Sequence, residues 1–431
     1  MQTLPYHYIP YTRGDEVDAT EILALFPAGA EPDLETVVAR LREDRDADDL
    51  SEIRNGREDD EGSFNFTHGH GERAIDVEIA LHFDEEFAIQ IPLSDMPEEV
   101  AARARESRWG ISVNAYLGPR ALSGYHSLLK LLDLAVPDAV LTHDTASLSS
   151  MSGPWLREVA RSPVPPPPST LISIHGVHDS GSTAGAWLHT HGLRRCGSID
   201  LEMIDVPPDR AEAYAHMLEI AATYCIERGT PPVGKYFEVG KDLGVYWLPW
   251  EWASDQQLAG CVDDVADRDQ AHDGPYGTLF AAPDGLGYST GQTPTGIDTL
   301  QPQLDDEPVF FLSEMETRRM SLLAKTTFPR FRSIQQRFQT HEGWKFLVKL
   351  GYQIDDCPDD VDENEHLWFD VHEIHGAIMV ATLLNEPYRI ARLHQGDRGH
   401  HAADQLSDWT IECPHGLFNA SNLRHLEELA D

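Results

Sequence analysis

Apolar positions along the chain change spacing several times, and each change marks an element. Residues 75–83 alternate apolar and polar side chains, and residues 87–93 repeat the pattern beyond Asp84-Glu85-Glu86, which predicts a β-hairpin. Leu34, Val37, Val38 and Leu41 have helical spacing, so a short amphipathic helix is expected there, running into the acidic, solvated stretches 41–49 and 57–61. Pro97 and Glu98 behind Ser94-Asp95 form a helix start. Strand 111–117, helix 121–134 and strand 139–142 follow. Residues 163–168, Pro-Val-Pro-Pro-Pro-Pro, must be extended, because each proline fixes φ and removes a donor, and they read as a rigid spacer.

Beyond the spacer, strands are expected at 171–177, 186–190 and 199–206. Asp209-Arg210-Ala211-Glu212 then opens a helix that places Tyr214, Met217, Leu218, Ala221 and Cys225 on one face. Residues 245–252 concentrate three tryptophans, and residues 261–308, rich in Asp, Gly, Pro and Gln, read as a long loop. From Glu314, Met320, Leu323, Phe328, Phe331, Ile334 and Phe338 predict two helical segments divided near Pro329. Short strands at 347–354, 367–374, 378–384 and 407–411 suit a small SH3-like β-barrel, with His400-His401 in a loop. The expected fold class is α+β, multidomain, with mixed or antiparallel sheets and packed helices. The expected segments are an acidic N-terminal stretch (1–60), an α+β subdomain (61–162), an α+β domain with a central histidine strand (163–312), and helices with a barrel (313–431).

Composition narrows the function. A net charge of −40 over 431 residues repels nucleic-acid backbone and anionic lipid, and favours a basic protein partner. Five cysteines, odd in number and without a CxxC pair, fit a reducing cytosol and no disulfide framework. The first residues carry no apolar signal region and no run reaches transmembrane length, so a cytoplasmic protein is expected. No GxGxxG, P-loop or GxSxG motif occurs.

The densest chemistry lies at residues 187–202: Trp-Leu-His-Thr-His-Gly-Leu-Arg-Arg-Cys-Gly-Ser-Ile-Asp-Leu-Glu. In a strand, residues i and i+2 share a face, so His189 and His191 project together. Asp200 and Glu202 join them if the next strand is a neighbour. Two imidazoles and a carboxylate form a set that zinc, iron or another divalent metal accepts, with His189, His191 and Glu202 as ligands and Arg194 or Arg195 stabilising negative charge. His175 and His178 lie just upstream. The plainer reading makes the histidines hydrogen-bonding ties of a hairpin, with no cofactor. His68 and His70 form another His-x-His, in a glycine-rich loop.

Glu365-His366-Leu367-Trp368-Phe369, Leu384-Asn385-Glu386-Pro387, Gly396-Asp397 and Ser407-Asp408-Trp409-Thr410, with Ala324-Lys325-Thr326-Thr327-Phe328 and Val348-Lys349, resemble the bacterial domain-of-unknown-function family numbered 2314, over about residues 318 to 412. The preceding part, with Trp187 to Leu193 and Leu201-Glu202, resembles the family numbered 4026, which is found ahead of the former. The resemblance implies a bacterial origin and these boundaries, and it transfers no catalytic residue.

With no complete catalytic constellation, the first expectation is a protein-interaction module, neutralising or scaffolding a basic partner. A metal-dependent hydrolase built on His189 and His191 is the alternative. An adaptor that takes a peptide at Trp368 and Trp409 is a third.

Overall fold

The computed structural model describes residues 17–43, 54–55, 63–69, 74–84, 91–94, 96–178, 185–255, 274–289, 292–306, 308–311, 313–355, 364–421 and 426. It forms two compact units, Met1–Ser313 and Glu314–Asp431, and the fold is α+β.

The first unit opens with β1 (Thr20–Leu25), α1 (Leu34–Glu43), β2 (Arg54–Asn55), β3 (Ser63–His68), β4 (Ile75–Phe83), α2 (Glu98–Arg105), β5 (Trp109–Ala115), α3 (Ala121–Ala135), β6 (Leu141–Asp144), β7 (Ser149–Ser152) and α4 (Gly153–Arg161). The strands make one antiparallel sheet in the order β2-β3-β4-β5-β1-β6-β7. Alternation in β4 buries Ile75, Val77, Ile79 and Leu81 and leaves Asp76 and Glu78 in solvent. Helix α3 packs on α1, α4 and β5 and buries Tyr125, Leu128, Leu129 and Leu132. The second arm of the hairpin expected at 87–93 falls largely outside the described residues, as does His70; β4 is paired by β3 and β5.

The spacer leaves α4 with Val164 and Pro168 buried and delivers the chain to a second sheet. Its elements are β8 (Ser173–Val177), β9 (Ala186–His191), β10 (Asp200–Val206), α5 (Ala211–Arg228), β11 (Phe237–Gly240), β12 (Leu243–Pro249), α6 (Trp250–Asp255), β13 (Tyr276–Ala281) and α7 (Gln301–Asp305), and its strand order is β11-β12-β13-β10-β9-β8. All neighbours are antiparallel except the parallel pair β10–β13. Helix α5 packs on β8, β9, β10 and β11 through the face expected from its spacing, burying Tyr214, Met217, Leu218, Ala221 and Cys225.

Residues 261–273 of the long loop expected at 261–308 lie outside the described residues, and the rest is corrected by β13, a fully buried strand inside the sheet. Gly277 hid it, yet the glycine is required: a Cβ there would come 2.8 Å from Ile199 and 2.9 Å from Trp247.

The second unit packs α8 (Glu314–Phe338) on an antiparallel sheet of β14 (Lys345–Gln353), β15 (Asn364–His375), β16 (Ile378–Leu383), β17 (Arg398–Ala402), β18 (Leu406–Cys413) and β19 (Gly416–Asn419), in the order β17-β16-β15-β14-β18-β19. The barrel expected here takes this six-stranded form, and no pairing of its end strands is seen among the described residues. The break expected near Pro329 is overruled, because α8 is continuous through it. Ala324, Phe328, Phe331 and Ile334 anchor both sides of the proline in one core with Phe346, Val348, Phe369 and Trp409, and that packing offsets the backbone hydrogen bond which proline removes. His400 and His401 belong to β17 rather than a loop, and the Tyr352 hydroxyl lies 2.5 Å from Nδ1 of the buried His401.

Candidate metal centre

Strand register assembles this site. In the β8–β9 ladder His175 is the direct partner of His189 and Ser173 of His191. In β9–β10 Glu202 is the partner of His189, and in β10–β13 Thr278 is the partner of Glu202. Cross-strand partners share a face, so His175, His189, Glu202 and Thr278 form a row across four strands, and Trp187 and His191 lie on the same face at i±2 from His189. The opposite face buries Leu188, Leu201 and Met203.

One ring nitrogen each from His175, His189 and His191 lies within 4.8 Å of the other two. Ring centroids are 5.9 Å apart for His175 and His189, 4.6 Å for His175 and His191, and 5.0 Å for His189 and His191, with interplanar angles of 63° to 79°. The rings are therefore inclined edge to face rather than stacked. Nitrogens around a tetrahedral ion at 2.0–2.1 Å lie about 3.4 Å apart, so closing on one needs movements of about an ångström. His189 and His191 are buried and His175 is half-buried. Trp187 stacks on His189 at 4.0 Å and 28°, which fixes that ring's plane.

Glu202 shares the face, but both carboxylate oxygens have protein donors: Trp187 Nε1 donates to Oε2 at 3.1 Å and Thr278 Oγ1 to Oε1 at 2.6 Å. The structure thus places His175 in the cluster with His189 and His191, and Glu202 behind it.

Gly192, at φ +104°, ends β9; a Cβ there would meet the Leu171 carbonyl at 2.4 Å. In the turn that follows, Arg194 and Arg195 part company. Arg195 is fully buried: Nη1 donates to both oxygens of Asp144 at 2.7 and 2.8 Å, Nε to the Leu171 carbonyl at 3.2 Å, and the guanidinium lies 4.9 Å from the Tyr125 ring centroid. Burial works against its charge, but Asp144 and its other partners hold its pKa above the ordinary arginine value. Arg195, expected to stabilise negative charge in a site, instead ties the end of β6 to the second sheet. Arg194 is 27% exposed and pairs with Asp18 through Nε and Nη2, both at 3.1 Å.

Asp200 organises the same turn. Its Oδ1 accepts from Thr190 Oγ1 at 2.9 Å and the Leu193 N–H at 3.1 Å, and Thr190 Oγ1 accepts from the Leu201 N–H. Burial pushes the Asp200 carboxyl up to about 7 against the pull of these hydrogen bonds. A cavity of about 390 Å³ opens here, its walls including His191, Gly192, Arg194 and Asp200 from the second sheet and Asp18 and Thr145 from the first.

The tryptophans expected to meet a peptide separate. Trp409 is fully buried, its indole donating to Thr327 Oγ1 at 3.0 Å, so it packs the core. Trp368 is half-buried, with the Lys349 ammonium 5.7 Å from its ring centroid. Among the described residues, no helix is long and apolar enough to cross a membrane.

Family models match nearly all of this architecture. Residues 21–166 match the N-terminal part of a protein of unknown function, DUF4026, and residues 174–280, which hold all three clustered histidines, match its C-terminal part. Residues 318–426 match an uncharacterized protein conserved in bacteria, DUF2314. No curated protein and no solved structure matches the chain.

Proposed function

We propose that this chain, which belongs to the DUF4026 family and carries a DUF2314 region at its C-terminal end, is a metal-dependent hydrolase whose divalent cation is held by His175, His189 and His191. The convergence of three imidazole nitrogens within 4.8 Å, two of the rings buried, carries this reading. Three neutral imidazoles suit zinc, and three protein ligands leave a position for water or substrate. Held by these three histidines, such an ion would supply a Lewis acid and would activate water near neutral pH. The protein's part is rigidity, through Trp187 against His189 and the Thr278–Glu202–Trp187 hydrogen bonds behind it.

The test is hydrolysis by the full chain, loaded with zinc, manganese or iron(II), of a panel of chromogenic carboxylic and phosphoric esters and amides. Activity on at least one member, abolished by chelator, restored by metal and lost in His189→Ala, is the expected result. Equal activity with and without metal contradicts the reading.

A second reading, an interaction module for a basic protein partner, is supported by the net charge of −40. Recovery of one specific, salt-sensitive partner from the native host supports it, and its absence removes it.

A further inference from the structure

Resting on the metal reading, we propose that the substrate of this centre is a small molecule bearing an oxyanion, carboxylate or phosphate, and that Arg194 receives that group in the cavity beside His191.

The cavity, about 390 Å³, has the size of a small-molecule site, and one of its walls is a proposed metal ligand, His191. A molecule seated there lies next to the centre rather than elsewhere on the surface. Of the two adjacent arginines only one is disposed to receive a ligand. Arg195 is fully buried and spent on Asp144 and the Leu171 carbonyl. Arg194 lines the cavity, is 27% exposed, and is paired with Asp18, itself 43% exposed at the entry to β1. A solvent-facing pair of that kind is worth little, so a substrate oxyanion replaces Asp18 at small cost while keeping the two-pronged geometry that guanidinium offers carboxylates and phosphates.

The guanidinium is also placed from behind: a Cβ on Gly274 would fall 2.4 Å from Arg194 Nη1. The second acid of the cavity, Asp200, directs its Oδ1 to Thr190 and the Leu193 N–H of its own turn. With a dication on the histidines and Asp18 displaced, Arg194 would offer an anion positive charge beside the His191 wall of the cavity.

The experiment uses the full chain loaded with cobalt(II), whose visible spectrum reports the ion's surroundings, titrated separately with inorganic phosphate and with acetate and followed in parallel by calorimetry. Wild type is expected to bind at least one of the two with a spectral change. Arg194→Gln should weaken that binding tenfold or more while retaining one cobalt per chain and the wild-type melting temperature. Arg194→Lys, which keeps charge but loses the fork, should fall between. A response to phosphate alone assigns a phosphoryl substrate, to acetate alone a carboxylate, and either supports the proposal. Cobalt-loaded wild type that binds neither anion, or Arg194→Gln and Arg194→Lys proteins that bind as wild type does, overturns the oxyanion proposal and leaves the metal reading standing. Failure of wild type to take up cobalt overturns both.

Discussion

His175 and His189 face each other as direct register partners across β8 and β9, their ring centroids 5.9 Å apart and their planes at 70°. That pairing turns an ordinary His-x-His strand into a three-nitrogen cluster, because His191, on the same face as His189, comes 4.6 Å from His175. The chemistry therefore depends on a hairpin register, and a slip of one residue would send the β8 histidine to the other face.

The buried pair Arg195–Asp144 joins the two sheets of the first unit, and its removal from one side should be costly. Arg195→Met leaves Asp144 buried and is expected to destabilise the chain by about 3–5 kcal/mol in urea denaturation. Arg195→Met with Asp144→Leu should recover a large part of that loss. The recovery is incomplete because Asp144 also accepts from the N–H groups of Ala146 and Ser147. A single variant as stable as wild type would contradict this role.

Asp200 should leave a mark on stability against pH. Its carboxyl titrates at about 7 in the fold against an ordinary 3.8, so the folded state holds the proton more tightly than the unfolded chain does. This contribution is fully present below about pH 4 and is lost as pH rises to about 7, for a change on the order of 4 kcal/mol. Asp200→Asn keeps an Oδ1 acceptor for Thr190 and Leu193 and cannot ionise. In metal-free protein the variant should gain on wild type over that window and run parallel to it above. Parallel curves throughout would show that Asp200 ionises normally.

Much of the scaffold could be read from the sequence, and the centre only in part. Strand β4 has the bounds that its alternation predicts, and α5 buries the face that its spacing names. His189 and His191 share a face by strand parity alone. His175 could be placed near them in sequence but not opposite His189, since register depends on how the intervening segment turns. Arg195 reads as a site residue until its partner Asp144, 51 positions away, is seen. Nothing in the sequence linked Asp18 to Arg194, 176 positions apart. Local signals also misled where tertiary packing prevailed, at Pro329 within α8 and at Gly277 within β13.

Gly274→Ala probes the placement of Arg194 without removing it. The added methyl would lie 2.4 Å from Nη1, at the far end of a flexible side chain, so stability should change little while the guanidinium shifts. Anion binding by the cobalt-loaded chain is expected to weaken several-fold with metal content unchanged. Unaltered anion binding would show that Gly274 does not position Arg194.

Metal content per chain tests the central claim most directly, measured by elemental mass spectrometry on untagged protein purified without chelator and again after zinc loading and desalting. Wild type should hold close to one ion. His175→Ala, His189→Ala and His191→Ala should each lose it while remaining folded by circular dichroism. Glu202→Gln should keep it, since both Glu202 oxygens accept from Trp187 and Thr278 rather than joining the histidine cluster. A wild-type chain that neither contains nor acquires metal, or one whose metal survives loss of His175, would contradict the three-histidine centre.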